Sequence, residues 1–212
     1  MKREKKREKR TGEEGGSVRF LPVCDGEELI LRGSYPNEDG VPLLSISCRF
    51  PAPAEENGAR TRITDFYCRL AKEVSRYAET VLFPALEKEY LASEEARRRY
   101  SFPRARLVGD FRVTQAEDGW YSVRRRLVLF RGGRRLAEKE YAEVFSLARG
   151  LLCPLGYLRA RGLPFATKNE VSQHTGRPLR NFWRKVFPLR PSGFYLEERE
   201  IHLLFDRELP IR

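Results

Sequence analysis

Histidine is the side chain that titrates nearest neutral pH, so it is the first candidate for acid–base chemistry. The sequence holds two: His174 in the polar run 172–176, and His202 in a strand-like apolar pattern. Neither lies beside a nucleophile elbow or an H-E-x-x-H partner. We interpret both as ordinary surface or edge residues, and we predict no catalytic residue.

Carboxylates offer no better candidate for catalysis. Glycosidase-type chemistry needs two of them converging on one bond from separate elements. Here the paired glutamates are adjacent in the sequence and lie among polar residues, at 13–14, 27–28, 55–56, 94–95 and 197–198. Solvated turns and helix faces explain such pairs, so we expect a protein that is not an enzyme.

The cysteines do not have the spacing of a metal site. There are four of them, Cys24, Cys48, Cys68 and Cys153. Structural zinc needs ligands clustered at short spacings, and no C-x-x-C pair occurs here. We predict free thiols, with Cys48 and Cys68 inside apolar patterns, and a reducing compartment. Gly132 and Gly133 match no phosphate-binding loop, so neither a metal nor a cofactor is expected.

Arginine and lysine form the most visible pattern. The formal net charge is +11, and two stretches concentrate it: 97–135 has twelve Lys/Arg against three Asp/Glu, and 159–190 has eight against one. Such a charge attracts polyanions. The candidate binding residues are those that a hairpin would bring together: Arg124, Arg125, Arg126, Arg134 and Arg135.

Aromatic residues are interleaved with these basic stretches, namely Tyr121, Phe130, Trp183 and Phe187. Phosphate contacts combined with stacking would bind single-stranded nucleic acid. The same aromatics also fall on apolar stripes, where core packing explains them, and no helix-turn-helix, RRM or KH signature is present. A basic nucleic-acid or polyanion-binding protein is therefore our alternative function.

A meander of strands over 106–145 must position the arginines. Its turns are at 117–119 and at Gly132-Gly133. In the middle strand Arg125 shares one face with the apolar residues, and Arg124 and Arg126 share the other. Further strands are predicted over 17–23, 28–33 and 43–50 and as two pieces within 194–205. In the strand over 43–50, one face carries Leu44, Ile46, Cys48 and Phe50.

One long helix accompanies these strands. Its apolar residues recur at helical spacing between Ile63 and Leu82, and Pro84 should kink or divide it. The spacing over 179–187 predicts a short helix. The fold class we predict is α+β, a mostly antiparallel sheet packed against one long helix plus short helices.

Two regions differ in composition. Residues 1–16 carry seven Lys/Arg, four Glu and no apolar residue after Met1, so we expect a disordered basic tail followed by one α+β domain over 17–212. No window reaches the ~20 apolar residues that cross a bilayer, and the basic start is followed by no apolar signal segment. We expect a cytoplasmic protein; the sequence does not indicate its oligomeric state.

The order of elements resembles a bacterial domain of unknown function. That domain forms the extracytoplasmic part of the sigma-V anti-sigma factor and precedes some peptidoglycan deacetylase domains. The pieces that carry the resemblance are ISCRFP at 46–51, the strand from Tyr121 to Phe130 with Gly132-Gly133, FYL at 194–196 and IHLLF at 201–205. Arg134-Arg135 stand where the family has Ala-His, and relatives are exported or membrane-anchored.

The resemblance implies a non-catalytic domain that binds and positions. The anti-sigma relative senses lysozyme, a cationic protein that a chain of net charge +11 would repel, so this partner is not carried over. Our first expectation is therefore a non-catalytic ligand- or protein-binding domain of a bacterial uncharacterised family. Its partner, an unknown protein or ligand, is left open.

Overall fold

The structure is a computed structural model that describes residues 20–53, 58–93, 102–166 and 192–204. The predicted tail 1–16, His174 and the predicted short helix with Trp183 and Phe187 lie outside these residues. Every structural statement below refers to the described part of the chain.

The long helix runs as α1 (Gly58–Tyr77), a π-helical turn (Ala78–Leu82) and α2 (Phe83–Ala92), 35 residues in all. Ile63, Tyr67 and Ala71 recur every fourth residue and are fully buried, so one face of α1 packs on the sheet. Pro84 lies in the first turn of α2, where its missing N–H is tolerated. The predicted division is not found, because the backbone stays helical through Leu82 and Phe83 and the helix continues as one element of 35 residues.

Seven strands form the main sheet in sequence order: β1 (Val23–Asp25), β2 (Glu28–Pro36), β3 (Pro42–Pro51), β4 (Ala105–Gln115), β5 (Trp120–Arg131), β6 (Arg134–Ser146) and β7 (Leu151–Leu152). The β4–β5 and β5–β6 connections turn at the predicted glycines, which have positive φ. Neighbouring strands pair antiparallel except β3 and β4, which pair parallel.

The predicted fold class, a mostly antiparallel α+β sheet, is wrong. The sheet is mixed, 48% of the described residues are in strands, and the seven strands of the main sheet curl into a half-barrel. The cause is the position of the helix between β3 and β4. A helix that crosses from one strand to its neighbour returns the chain in the same direction, so the second strand pairs parallel to the first.

The main core fills the concave side of the half-barrel. The predicted alternation of β3 is confirmed, because Leu44, Ile46, Cys48 and Phe50 are all buried there. Leu31 and Tyr35 of β2 and Tyr121 and Val123 of β5 face the same core. The helix therefore lies in the curve of the sheet, with its buried stripe against β2 and β3.

A second layer covers part of the convex side. It is a hairpin of β8 (Gly193–Glu197) and β9 (Glu200–Leu204), with α3 (Leu155–Ala160) beside it. This confirms the two strand pieces predicted within 194–205. The hairpin packs on Val144 of β6 through Leu196, Ile201 and Leu203. None of the helices in the described part of the chain has the length and apolarity to cross a membrane.

Candidate ligand-binding pocket

The three consecutive arginines of β5 point to both faces of the sheet. Arg125 lies on the concave face with Tyr121 and Val123, and Arg124 and Arg126 lie on the convex face. This is the alternation predicted for the middle strand. The alternation separates Arg125 from its two neighbours, so the three do not form one basic patch.

Arg125 is buried and makes a bidentate ion pair with Glu143 of β6. Its Nε and Nη2 donate to the two carboxylate oxygens at 2.9 and 2.5 Å, and only 8% of the side chain is exposed. Burial lowers the pKa of Arg125, but the hydrogen bonds and charge of Glu143 outweigh it, so the pKa lies above its ordinary value. The guanidinium of Arg125 also packs on the ring of Tyr141, with its central carbon 4.9 Å from the centre of the ring.

Glu143 also accepts a hydrogen bond from the helix. The hydroxyl of Tyr67 on α1 donates to its Oε2 at 3.3 Å. Burial, and then the nearby Glu143 carboxylate, raise the pKa of Tyr67 well above its ordinary value, so this hydroxyl keeps its proton. The pair and the tyrosine together tie α1 to β5 and β6.

The convex arginines are paired with glutamates of β6. Arg124 contacts Glu140 at 2.8 Å, and Arg126 lies 3.8 Å from Glu138. Arg135 is hydrogen-bonded to the same Glu138. The sequence reasoning missed these acidic partners, although residues of opposite charge favour positions facing each other on paired strands.

The five candidate arginines are thus only partly brought together. Arg134 lies opposite Arg131 and Arg135 opposite Phe130, next to the hairpin turn. Phe130 lies four positions beyond Arg126 on β5, or roughly 13 Å at the usual rise per residue. Arg134 and Arg135 are exposed, and Glu138 lies between them and Arg126.

A convex cavity of about 210 Å³ lies beside Arg112, Arg124 and Arg126. Arg112 pairs with Glu197 of the hairpin at 2.6 Å, and Arg124 with Glu140. Each of these cations therefore faces a carboxylate, and the cavity has little positive potential to offer an anion.

A larger cavity, of about 300 Å³, lies on the concave side between α1 and the sheet; we call it the concave pocket. One wall is the flank of α1, with Phe66, Leu70 and Val74 at successive turns. The opposite wall is Leu127 of β5. These apolar side chains are only partly buried, which leaves the pocket open to a molecule that would cover them.

Polar groups form one end of the concave pocket. The polar lining consists of the Arg125–Glu143 pair and the ring of Tyr141, together with Arg49, Asp110 and Arg126. Gly109 of β4 also lines it, where a β-carbon would lie 2.9 Å from the sulfur of Cys48. The glycine thus allows β3 and β4 to approach closely, and burial raises the pKa of Cys48 to about 12, so the thiol stays protonated.

The remaining candidates have structural roles. His202 of β9 stacks on Tyr195 of β8 with ring centres 4.8 Å apart, and Arg124 lies over the same tyrosine ring at 4.7 Å. Glu28 pairs with Arg49. All four cysteines, each of them within the described residues, are free thiols, as predicted, but Cys24 is exposed.

Comparison with known proteins gives a limited result. No protein-family model matches the chain, and no curated protein matches it. Among solved structures, it is similar to a member of the DUF3298 family from Bacteroides fragilis, with 11% identity and a TM-score of 0.42. The match covers 65% of this chain, and the chain spans 61% of the length of that protein. The similarity is thus to an uncharacterised domain, and the predicted link to the sigma-V anti-sigma factor is not shown.

Proposed function

We propose that this protein is a non-catalytic ligand-binding domain and that the concave pocket holds a small, largely apolar molecule. The observation that carries the proposal is the open flank of α1. Its side chains Phe66, Leu70 and Val74 face Leu127 across a cavity of about 300 Å³ and remain partly exposed. That volume is at the lower end of the range for small-molecule sites.

The half-barrel explains why the pocket exists. The buried stripe of α1 packs on β2 and β3. Phe66 and Tyr67 reach Phe145 and Glu143 of β6, but Phe66, Leu70 and Val74 on that flank stay only partly buried. Apolar surface left in this position gains stability when a ligand removes it from water, at about 25 cal/mol per Å². A ligand that contacts Leu70 and Leu127 at once would therefore bridge the helix and the sheet.

The polar end of the pocket supports binding rather than catalysis. Glu143 accepts hydrogen bonds from Arg125 and Tyr67, and the pKa values of Arg125 and Tyr67 are raised. These two groups therefore hold their protons at neutral pH, whereas a general acid or base must exchange one. The sequence resemblance to a bacterial domain that binds and positions agrees with this role.

The alternative, a nucleic-acid or polyanion binder, stays a prediction from the sequence. The pairs of Arg124 with Glu140 and of Arg126 with Glu138 neutralise two of the five arginines on which it depends. Arg125 is neutralised by Glu143 inside the core. No observation in the described residues favours this alternative over the pocket.

A fluorescence titration tests the proposal. N-phenylnaphthylamine is a neutral dye that brightens in apolar surroundings, and the full chain should bind it saturably. Val74→Trp should fill the concave pocket and weaken dye binding at least tenfold. The control is Leu91→Trp, which places the same side chain at an exposed position of α2 that does not line the pocket. Equal dye binding by both variants, or no binding by the wild type, would refute the proposal.

A further inference from the structure

We propose that the ligand of the concave pocket carries an acidic group and that Lys139 binds it at the mouth of the pocket. This inference rests on the proposed function and adds the chemical class of the ligand: an amphipathic anion with an apolar body. It follows from how the charged groups on the concave face of β5 and β6 are partnered.

The arginines that line the pocket or share its face of β5 already have carboxylate partners; two of them, Arg49 and Arg126, pair with Asp110 and Glu138. Arg125 is held by Glu143 at the inner end of the pocket. Arg131, further along the same face, pairs with Glu89 of α2 at 2.6 Å. Neither arginine is available to a ligand, because drawing it away from its glutamate would leave that carboxylate without a counter-charge.

Lys139 differs from these arginines. It lies on the same face of β6 as Tyr141 and Glu143 and directly opposite Leu127, which forms the apolar wall of the concave pocket. Within the part of the chain that the structure describes, no carboxylate lies within ion-pair distance of it. Its ammonium instead lies 5.6 Å from the centre of the Tyr141 ring.

The position of Lys139 suits a head group. Alternate residues of a strand lie about 7 Å apart on one face, so Lys139 lies one such step beyond Tyr141 in a row that ends at Glu143. Tyr141 and Glu143 line the pocket, and Lys139 lies just outside its lining. The tyrosine ring holds the ammonium by a cation–π contact, which leaves its N–H donors free. An apolar body lying on Leu127 and Leu70 would then place one end beside Lys139.

The same row disfavours a cationic ligand. Two carboxylates line the pocket, and each already has an arginine partner: Glu143 pairs with Arg125, and Asp110 pairs with Arg49. A positive head group would meet Lys139 without any compensating charge. Electrostatics therefore ranks an acidic head above a neutral one, and a neutral one above a cationic one.

Binding of three eight-carbon probes to the full chain tests this ranking by isothermal titration calorimetry. We expect octanoate to bind about threefold to fivefold more tightly than octanol, the upper part of the range for a solvent-exposed ion pair. Octylamine should bind most weakly. Lys139→Gln should remove the preference for octanoate, and Lys139→Arg should keep it. Lys72→Gln removes the same charge from the exposed side of α1 and should leave all three affinities unchanged.

The outcomes separate the two proposals. If octanol and N-phenylnaphthylamine bind but octanoate gains nothing, or if Lys139→Gln keeps the preference, the acidic-ligand inference is wrong and the pocket stands. If none of the probes or the dye binds, both proposals are wrong. Loss of the preference in Lys139→Gln alone, with octanol binding unchanged, would support both.

Discussion

Arg199 Nε lies 2.7 Å from Asp118 Oδ2, and this ion pair joins the tips of two hairpins from different layers. Asp118 is in the turn between β4 and β5, and Arg199 is in the turn between β8 and β9. The backbone N–H of Arg199 also donates to the side chain of Gln115, at 3.2 Å. The convex hairpin is therefore held against the main sheet at its turn as well as by its apolar core.

The β8–β9 turn has an unfavourable residue at its first central position. Glu198 and Arg199 both have positive φ, 53° and 64°, which the favoured two-residue turn requires but which suits Asn or Gly better. We expect Glu198→Asn to raise the free energy of unfolding by about 0.5–1 kcal/mol. Urea denaturation measures this change. Glu200→Asn, in strand β9, is the control and should give no gain.

Gly150 should tolerate no side chain. Its φ is +66°, and a β-carbon would lie 2.2 Å from the carbonyl oxygen of Ala59 at the start of α1. Both strain and the clash oppose Gly150→Ala, so we expect a loss of more than about 2 kcal/mol in the free energy of unfolding. The matched control is Gly156→Ala, which has open space in α3 and should gain up to about 1 kcal/mol. Similar effects of the two substitutions would contradict the close contact between Gly150 and Ala59 of α1.

Removing one charge of the Arg125–Glu143 pair should destabilise the protein more than removing both. Arg125→Met leaves a buried carboxylate without its counter-charge, and we expect a loss of about 3–5 kcal/mol in the free energy of unfolding. Arg125→Met combined with Glu143→Leu removes both charges and should recover most of that loss. A double-mutant cycle measured by urea denaturation tests this coupling. Additive losses would show that the two side chains do not act as a pair.

Which glutamate faces which arginine could not have been predicted from the sequence. With a two-residue turn at Gly132-Gly133 and no irregularity, Arg125 would lie opposite Glu140. A bulge at Leu129 and Phe130 shifts the pairing by one residue, so Arg125 lies opposite Tyr141 and Arg126 opposite Glu140. Alternation along β5 was predictable because it depends on a single strand, whereas partners depend on the register between two strands.

The same limit explains the error in the fold class. The strand over 43–50, the long helix and the meander that follows were each visible from their own periodicity. Periodicity does not reveal that β3 and β4 are neighbours, which is what makes the helix a crossover and the sheet mixed. The concave pocket was missed for the same reason, since Leu70 and Leu127 meet only after the sheet curls around α1.

Tyr121 should make the protein lose stability in alkali. Burial, and then the negative charge of Glu27, raise the pKa of Tyr121 to about 12 from its ordinary value of 10.0. The unfolded chain therefore releases this proton at a lower pH than the folded chain. The contribution of Tyr121 is complete below pH ~10 and is lost between pH ~10 and ~12, by about 2–3 kcal/mol in total.

The test is the free energy of unfolding of the wild type and of Tyr121→Phe, measured from pH 7 to pH 12. Phenylalanine keeps the ring but cannot titrate, so the variant should differ from the wild type by a constant below pH ~10 and decline less steeply above it. The pKa values of Cys48 and Tyr67 are also raised, so these two groups still lower the stability of the variant in alkali. Parallel curves up to pH 12 would mean that the Tyr121 hydroxyl is not buried in the folded protein.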